Sequence, residues 1–258
     1  MQGCLVQLCF WLTKISSKHL LLKDKLSRNW LESVQMAEFH ILNKEGVNYV
    51  EVLMNNEMVR TESGAMRYML GRIEMESKAP SVGGFFKAAV TGQSVFRPTY
   101  KGTGKLVLEP TLYSFFELNL MNDKLVLDRG AYWASDGAID VSAQANKAGA
   151  AILSGEGLFQ TTVAGTGKVI ISIPGPVEIV DLNNDRLVVD GTFAVARSSS
   201  LNFKVEKSTK SLFGTMTSGE GLVNVFEGTG RVWLCPVPNL YVMMQSMMMS
   251  MIPTQTSG

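Results

Sequence analysis

Histidine is nearly missing from this 258-residue chain, which holds only His19 and His40. A Ser or Cys nucleophile needs a base that a third group orients, so the shortage argues against nucleophilic catalysis. A histidine-based metal site lacks its ligands for the same reason. Cysteine is as scarce: Cys4, Cys9 and Cys235 form an odd set. No disulfide framework or paired-cysteine metal site follows, and a reducing compartment fits best. Cys235 ends an apolar segment, where a free cysteine serves as a small buried hydrophobe. Charge of one sign is missing too, with 24 basic against 23 acidic residues and a net charge of +1. That balance supplies none of the basic field with which nucleic-acid binders hold phosphate. Finally, no apolar run approaches the ~20 residues of a membrane span. The apolar residues 4–12 are too few, and they lack the basic stretch and cleavage site of a secretory signal.

What the chain does have is a folded protein's composition, 46% apolar and 18% charged, and a threefold internal echo. Gly102-Thr103-Gly104, Gly165-Thr166-Gly167 and Gly228-Thr229-Gly230 recur at one fixed interval, since 165 − 102 equals 228 − 165. Asn122-Asp123-Lys124-Leu125-Val126-Leu127-Asp128 returns as Asn184-Asp185-Arg186-Leu187-Val188-Val189-Asp190, and Gly155-Glu156-Gly157-Leu158 returns as Gly219-Glu220-Gly221-Leu222. Fixed-period self-similarity marks structural units that bury their apolar faces against one another.

The expected units are residues 48–118, 119–181 and 182–240. Each opens with a β-rich segment, turns at or near a glycine (Gly64, Gly130, Gly191) and continues into a second strand. That strand is clearest in the alternation of Ile139-Asp140-Val141-Ser142 and Leu201-Asn202-Phe203-Lys204-Val205. A variable connector leads to a hairpin whose turn is Gly-Thr-Gly, so Gly102, Gly104, Gly165, Gly167, Gly228 and Gly230 are expected as structural turns. Pro110, Pro174 and Pro236 follow the last strand of each unit, where a missing N–H does least harm. Short strands with regular turn signals predict an all-β protein of three tandem units.

Gly130-Ala131-Tyr132-Trp133-Ala134-Ser135-Asp136, Gly155-Glu156-Gly157-Leu158-Phe159 and Gly219-Glu220-Gly221-Leu222-Val223, with Gly228-Thr229-Gly230-Arg231-Val232-Trp233-Leu234, resemble the altered-inheritance-of-mitochondria family. That family includes a fungal mitochondrial biogenesis protein and uncharacterised bacterial proteins. The resemblance covers about residues 45–240. It implies three β-sandwich units, each similar to a subunit of the tryptophan RNA-binding attenuation protein, and a homotrimer that closes a ring of nine units. It carries over no catalytic residues. The expected location is the cytoplasm, or the mitochondrion in a eukaryote.

Specific sites are few. Gly102-Thr103-Gly104-Lys105 and Gly165-Thr166-Gly167-Lys168 look like the end of a phosphate loop. However, Leu106 and Val169 stand where Ser or Thr would hold magnesium, and no helix follows. Glu156 and Glu220 hold equivalent places, with Gln93 in the first unit. Duplication explains that pattern without acid–base chemistry. Asp128 and Asp190 suit turns, and all four acids are expected as inter-unit contacts. Lys105, Lys168 and Arg231 recur after the glycines, the one feature favouring RNA. Each is followed by an apolar strand, so an exposed strand-start cation is the simpler role.

The ends differ from the middle. Residues 1–47 form a leader, of which 1–35 match no unit and are expected to be a loose tail or an over-extended start. Residues 241–258 are methionine-rich: Met243, Met247 and Met251 fall on one helical row and Met244, Met248 and Ile252 on the next, up to a stop at Pro253. Adaptable packing against the body or a neighbouring subunit is expected of this helix. Cu(I) binding lacks an accompanying Cys or His, and a membrane-surface helix lacks its cations. The functional expectation is a non-enzymatic, self-assembling scaffold or interaction platform that partners itself and an unknown protein, with no cofactor. The alternative is a ring-shaped binder of RNA or a small ligand.

Overall fold

The computed structural model describes residues 36–76, 97–145, 159–190, 193–207 and 222–251. The expected contacts of Glu156 and Glu220 lie outside the described residues, as do the leader through residue 35 and the tail beyond residue 251.

The described chain is almost wholly antiparallel β. Its strands are β1 (Glu38–Lys44), β2 (Val47–Thr61), β3 (Met66–Glu76), β4 (Thr99–Leu108), β5 (Ser114–Leu127), β6 (Tyr132–Asp136), β7 (Asp140–Ala145), β8 (Phe159–Ile173), β9 (Glu178–Asp190), β10 (Ala194–Ser198), β11 (Asn202–Lys207) and β12 (Leu222–Leu234). One helix, α1 (Leu240–Ser250), follows. The backbone is a set of three long ladders, β2 with β4, β5 with β8 and β9 with β12. Short strands join them: β6 lies between β2 and β8, and β10 between β5 and β12. The resulting 12-stranded sheet runs β11-β12-β10-β5-β8-β6-β2-β4-β3, with β1 added to β2, β7 to β8 and β9 to β12.

The Gly-Thr-Gly motifs are not turns. Each lies in the middle of one continuous strand, β4, β8 or β12, so the hairpin predicted around it is corrected. The reason lies on the partner strand. Asn56, Asn122 and Asn184 adopt left-handed backbone at φ 67°, 59° and 51°. Each sits at a bulge, where one strand carries an extra residue and bends. The displaced N–H of each asparagine donates to the hydroxyl of Thr103, Thr166 or Thr229, 3.0 Å in every case. Asparagine tolerates this conformation better than other side chains. The glycines give the crossing strands room. A Cβ on Gly104, at φ 151°, would run into the Leu70 carbonyl, and one on Gly102 into that of Arg72. Of the six, only Gly230 has no positive φ.

The expected boundaries also move. Positions 118/119 and 181/182 fall inside β5 and β9, because the proline that ends each preceding strand comes several residues earlier. The buried side chains form three clusters, around Val52 and Leu106, around Leu127 and Ile171, and around Phe226 and Val232.

Helix α1 is anchored at its start only. Asn239 caps it by accepting the Val242 N–H at 3.0 Å, and its amide donates to the Leu112 carbonyl at 2.8 Å. Val242 is the buried residue of the helix, whereas the methionines from Met243 to Met251 are 40% to 79% exposed. The apolar face therefore does not pack on the described part of the body, contrary to that part of the expectation. A single cap and one buried valine fix the first turn, and the remaining turns find no facing groove among the described residues.

Candidate interaction groove

The same local chemistry recurs after each Gly-Thr-Gly. Lys105 pairs with Glu51 at 3.1 Å, Lys168 with Glu117 at 3.4 Å and Arg231 with Asp181 at 2.7 Å. The cations that favoured RNA are thus neutralised by acids on the adjoining strand. Phosphate binding at these positions would first have to break three ion pairs.

Asp136, at the end of β6, stands where the first two ladders meet. One carboxylate oxygen accepts the Lys168 N–H at 2.7 Å, and the other accepts the Ala37 N–H at 3.2 Å. Burial pushes this carboxyl above its ordinary range, and the two N–H donors and Lys168 pull it back. Asp136 thereby fixes the entry of β1, which pairs along the first half of β2 from Glu38 opposite Leu53 to Lys44 opposite Val47. The two strands join through a tight turn with Glu45 and Gly46 both left-handed, at φ 52° and 83°. Phe39 packs with Val52, Ala134 and Ile170 in one cluster.

At the second junction Ser198 takes the place of Asp136. Its hydroxyl accepts the N–H of Arg231, the counterpart of Lys168 in the next repeat, at 3.0 Å. No counterpart of β1 lies there among the described residues. Instead a cleft of about 610 Å³ opens between β5 and the β9–β12 ladder. Its floor and walls include Phe116, Leu118 and Trp233, and its rim carries Glu117, Asp181 and Arg231. The Arg231 guanidinium also lies over the Trp233 ring, 5.8 Å from its centroid.

The remaining expected residues divide. Asp128 is half-buried in the turn after β5, and desolvation pushes its carboxyl up to about 6 despite the Arg129 N–H and charge. Its backbone N–H crosses to the Val195 carbonyl at 3.0 Å, so it links the second and third ladders through main chain. Asp190 is exposed at the end of β9, opposite Val223 in its own ladder. Cys235 is buried and free. Asp136 and the left-handed asparagines were missed. The repeated Asn-Asp pair at 122–123 and 184–185 was the available signal for the latter. No group of three or more metal-ligating side chains occurs among the described residues, and no helix among them is long and apolar enough to cross a membrane.

Together these features define a bulged antiparallel β-protein whose distinctive surface is a strand-edge groove. A family model described as mitochondrial biogenesis AIM24 matches residues 39–237, and the chain belongs to that family. It is 26% identical over 188 residues to an uncharacterised protein of Streptococcus pyogenes serotype M6, covering 68% of this chain and 75% of that one. A crystal structure of a Streptococcus pyogenes protein superposes with a TM-score of 0.63 at 24% identity, over 83% of this chain and all of the other. That likeness is one of fold.

Proposed function

We propose that this chain is a non-enzymatic β-protein that assembles with copies of itself, head to tail, into a scaffold for partner proteins. The carrying observation is a pair of unused strand edges that match the two used ones. Within the chain, Ala134, Ser135 and Asp136 of β6 pair with Thr61, Arg60 and Val59, while Ala196, Arg197 and Ser198 of β10 pair with Leu127, Val126 and Leu125. The equivalent of these segments in the first ladder is Tyr68-Met69-Leu70. Tyr68 lies opposite Val107 just as Ala134 lies opposite Ile170, the same position one repeat later. The equivalent receiving end is Leu187-Val188-Val189 of β9, because Asn224 and Phe226 face Val189 and Leu187.

Neither segment has a second neighbour among the described strands. The used edges are buried, with Ala134 and Ser135 at 0% exposure, whereas Tyr68, Met69, Leu70 and Val188 stand at 49%, 41%, 66% and 44%. Unpaired apolar edges invite pairing. The implied register sets Tyr68 against Val189 and Leu70 against Leu187 of the next copy. A heterologous contact of this kind either closes a ring or grows a filament, and the family resemblance supplies closure at three copies. Three similar ladders per chain then repeat around the ring as nine β units.

Light scattering at micromolar concentration is expected to give a trimer, and Leu70→Lys with Val188→Lys to give a folded monomer. A wild-type monomer would overturn the reading.

A further inference from the structure

We infer that the cleft beside β5 is a strand-acceptor site: it takes an extended segment of a partner protein, apolar and basic in alternation, by adding it to the β5 edge. The inference goes beyond the self-assembly reading, since the cleft lies within one chain and is lined by Ile179, Asp181 and Leu182 at the start of β9, not by the Leu187–Val189 segment or by β3.

The chain already shows the occupied form of this site. In the first ladder β1 lies along β2, with Phe39 opposite the fully buried Val52 and His40 opposite Glu51. In the second ladder the same positions are Leu118 and Glu117. This follows because Leu53 and Asn119 face Lys105 and Lys168, which hold the same place after their Gly-Thr-Gly motifs. Among the described strands, β5 pairs with β8 along its whole length, but with β10 only at Leu125–Leu127. Its first half therefore has a neighbour on one side.

The phase of the ladder says which backbone groups face the cleft. Beyond the cleft's end, the Ser199 N–H donates to the Lys124 carbonyl and the Asp128 N–H to the Val195 carbonyl, both at 3.0 Å. Counting back by twos across the bulge at Asn122 places the N–H and C=O of Asn119 and Glu117 toward the cleft. An added strand would find hydrogen-bonding groups there, as peptides do in other cases of β-augmentation.

The cleft also states what the strand should carry. A residue in Phe39's position would meet Leu118 and Trp233, the latter standing one repeat after Ile170. Phe116, the counterpart of the fully buried Val50, is left half-buried. The next residue falls directly across from Glu117, within the ~5 Å of a cross-strand pair. With Lys168, which pairs with Glu117 from β8, the cleft sets three carboxylates, Glu117, Asp123 and Asp181, against two cations, Lys168 and Arg231, an excess of one negative charge. Lysine or arginine is therefore the complementary choice at that position.

The probe is a labelled synthetic peptide copying residues 37–44 with lysine in place of His40 (AEFKILNK), titrated into the full chain by fluorescence anisotropy. Saturable binding is expected, about tenfold weaker for the peptide with glutamate there (AEFEILNK). Asn119→Pro should abolish it, because proline removes one N–H that faces the cleft while an edge strand tolerates the residue. Unchanged circular dichroism and thermal midpoint would show that the variant folds. No binding by the lysine peptide, or equal preference for the glutamate peptide, overturns the inference. So does binding that survives Asn119→Pro, since the peptide would then be exchanging with β1 on β2.

Discussion

Replacing Asp128 by asparagine should stabilise this protein at neutral pH. Asp128 closes the turn after β5, where its carbonyl accepts the Ala131 N–H at 3.2 Å and its carboxylate accepts the N–H of Arg129. Burial outweighs that hydrogen bond and the Arg129 charge, raising the carboxyl from 3.8 to about 6. In the unfolded chain the proton leaves near the ordinary value. Between the two values the unfolded chain binds fewer protons than the folded one, so stability falls as pH rises. Above the folded value the loss is complete. A shift of about two units at ~1.4 kcal/mol each gives about 3 kcal/mol. Asparagine keeps an acceptor for the Arg129 N–H and carries no charge to desolvate.

Urea unfolding of the two proteins at equal protein concentration tests this, since association would otherwise shift the apparent stability. At about pH 7.5 Asp128→Asn should be more stable by about 2–3 kcal/mol, or roughly 4–12 °C in midpoint for a body of this size. At about pH 4 most of the gain should be gone. A variant that is no more stable at neutral pH, or whose gain is the same at both values, would refute desolvation as the cause.

Two further outcomes follow from the geometry of the ladders and of α1. Thr166→Val removes the acceptor of the Asn122 N–H and should cost about 0.5–1.5 kcal/mol by denaturant unfolding, and Thr103→Val and Thr229→Val similar amounts because all three bonds measure 3.0 Å. A cost near zero at all three would mean water replaces the hydroxyl freely. Asn239→Ala removes the cap of α1, a loss of about 0.5–2 kcal/mol, and should lower helical circular dichroism and hydrogen-exchange protection over residues 240–250 with the sheet unchanged; retention of both would mean Val242 alone holds the helix.

The all-β class and the proline-marked strand ends were legible in the sequence, because alternation and turn residues act within a few positions of one another. The family was legible from the glycine-flanked motifs. The role of Gly-Thr-Gly was not, since the glycines answer to Arg72 and Leu70 on a neighbouring strand, and the threonines to asparagines 44 to 47 residues away. The methionine helix was legible as a helix, but its exposure depended on whether a groove lay opposite. Asp136 carried no local sign of its task, because both of its partners, Ala37 and Lys168, are distant in the chain. Periodicity records what a residue owes to its immediate neighbours. Which edge finds a strand, and which is left as a cleft, is settled only when segments a full repeat apart meet, because hydrogen bonds and packing across a sheet depend on position in space rather than on order along the chain.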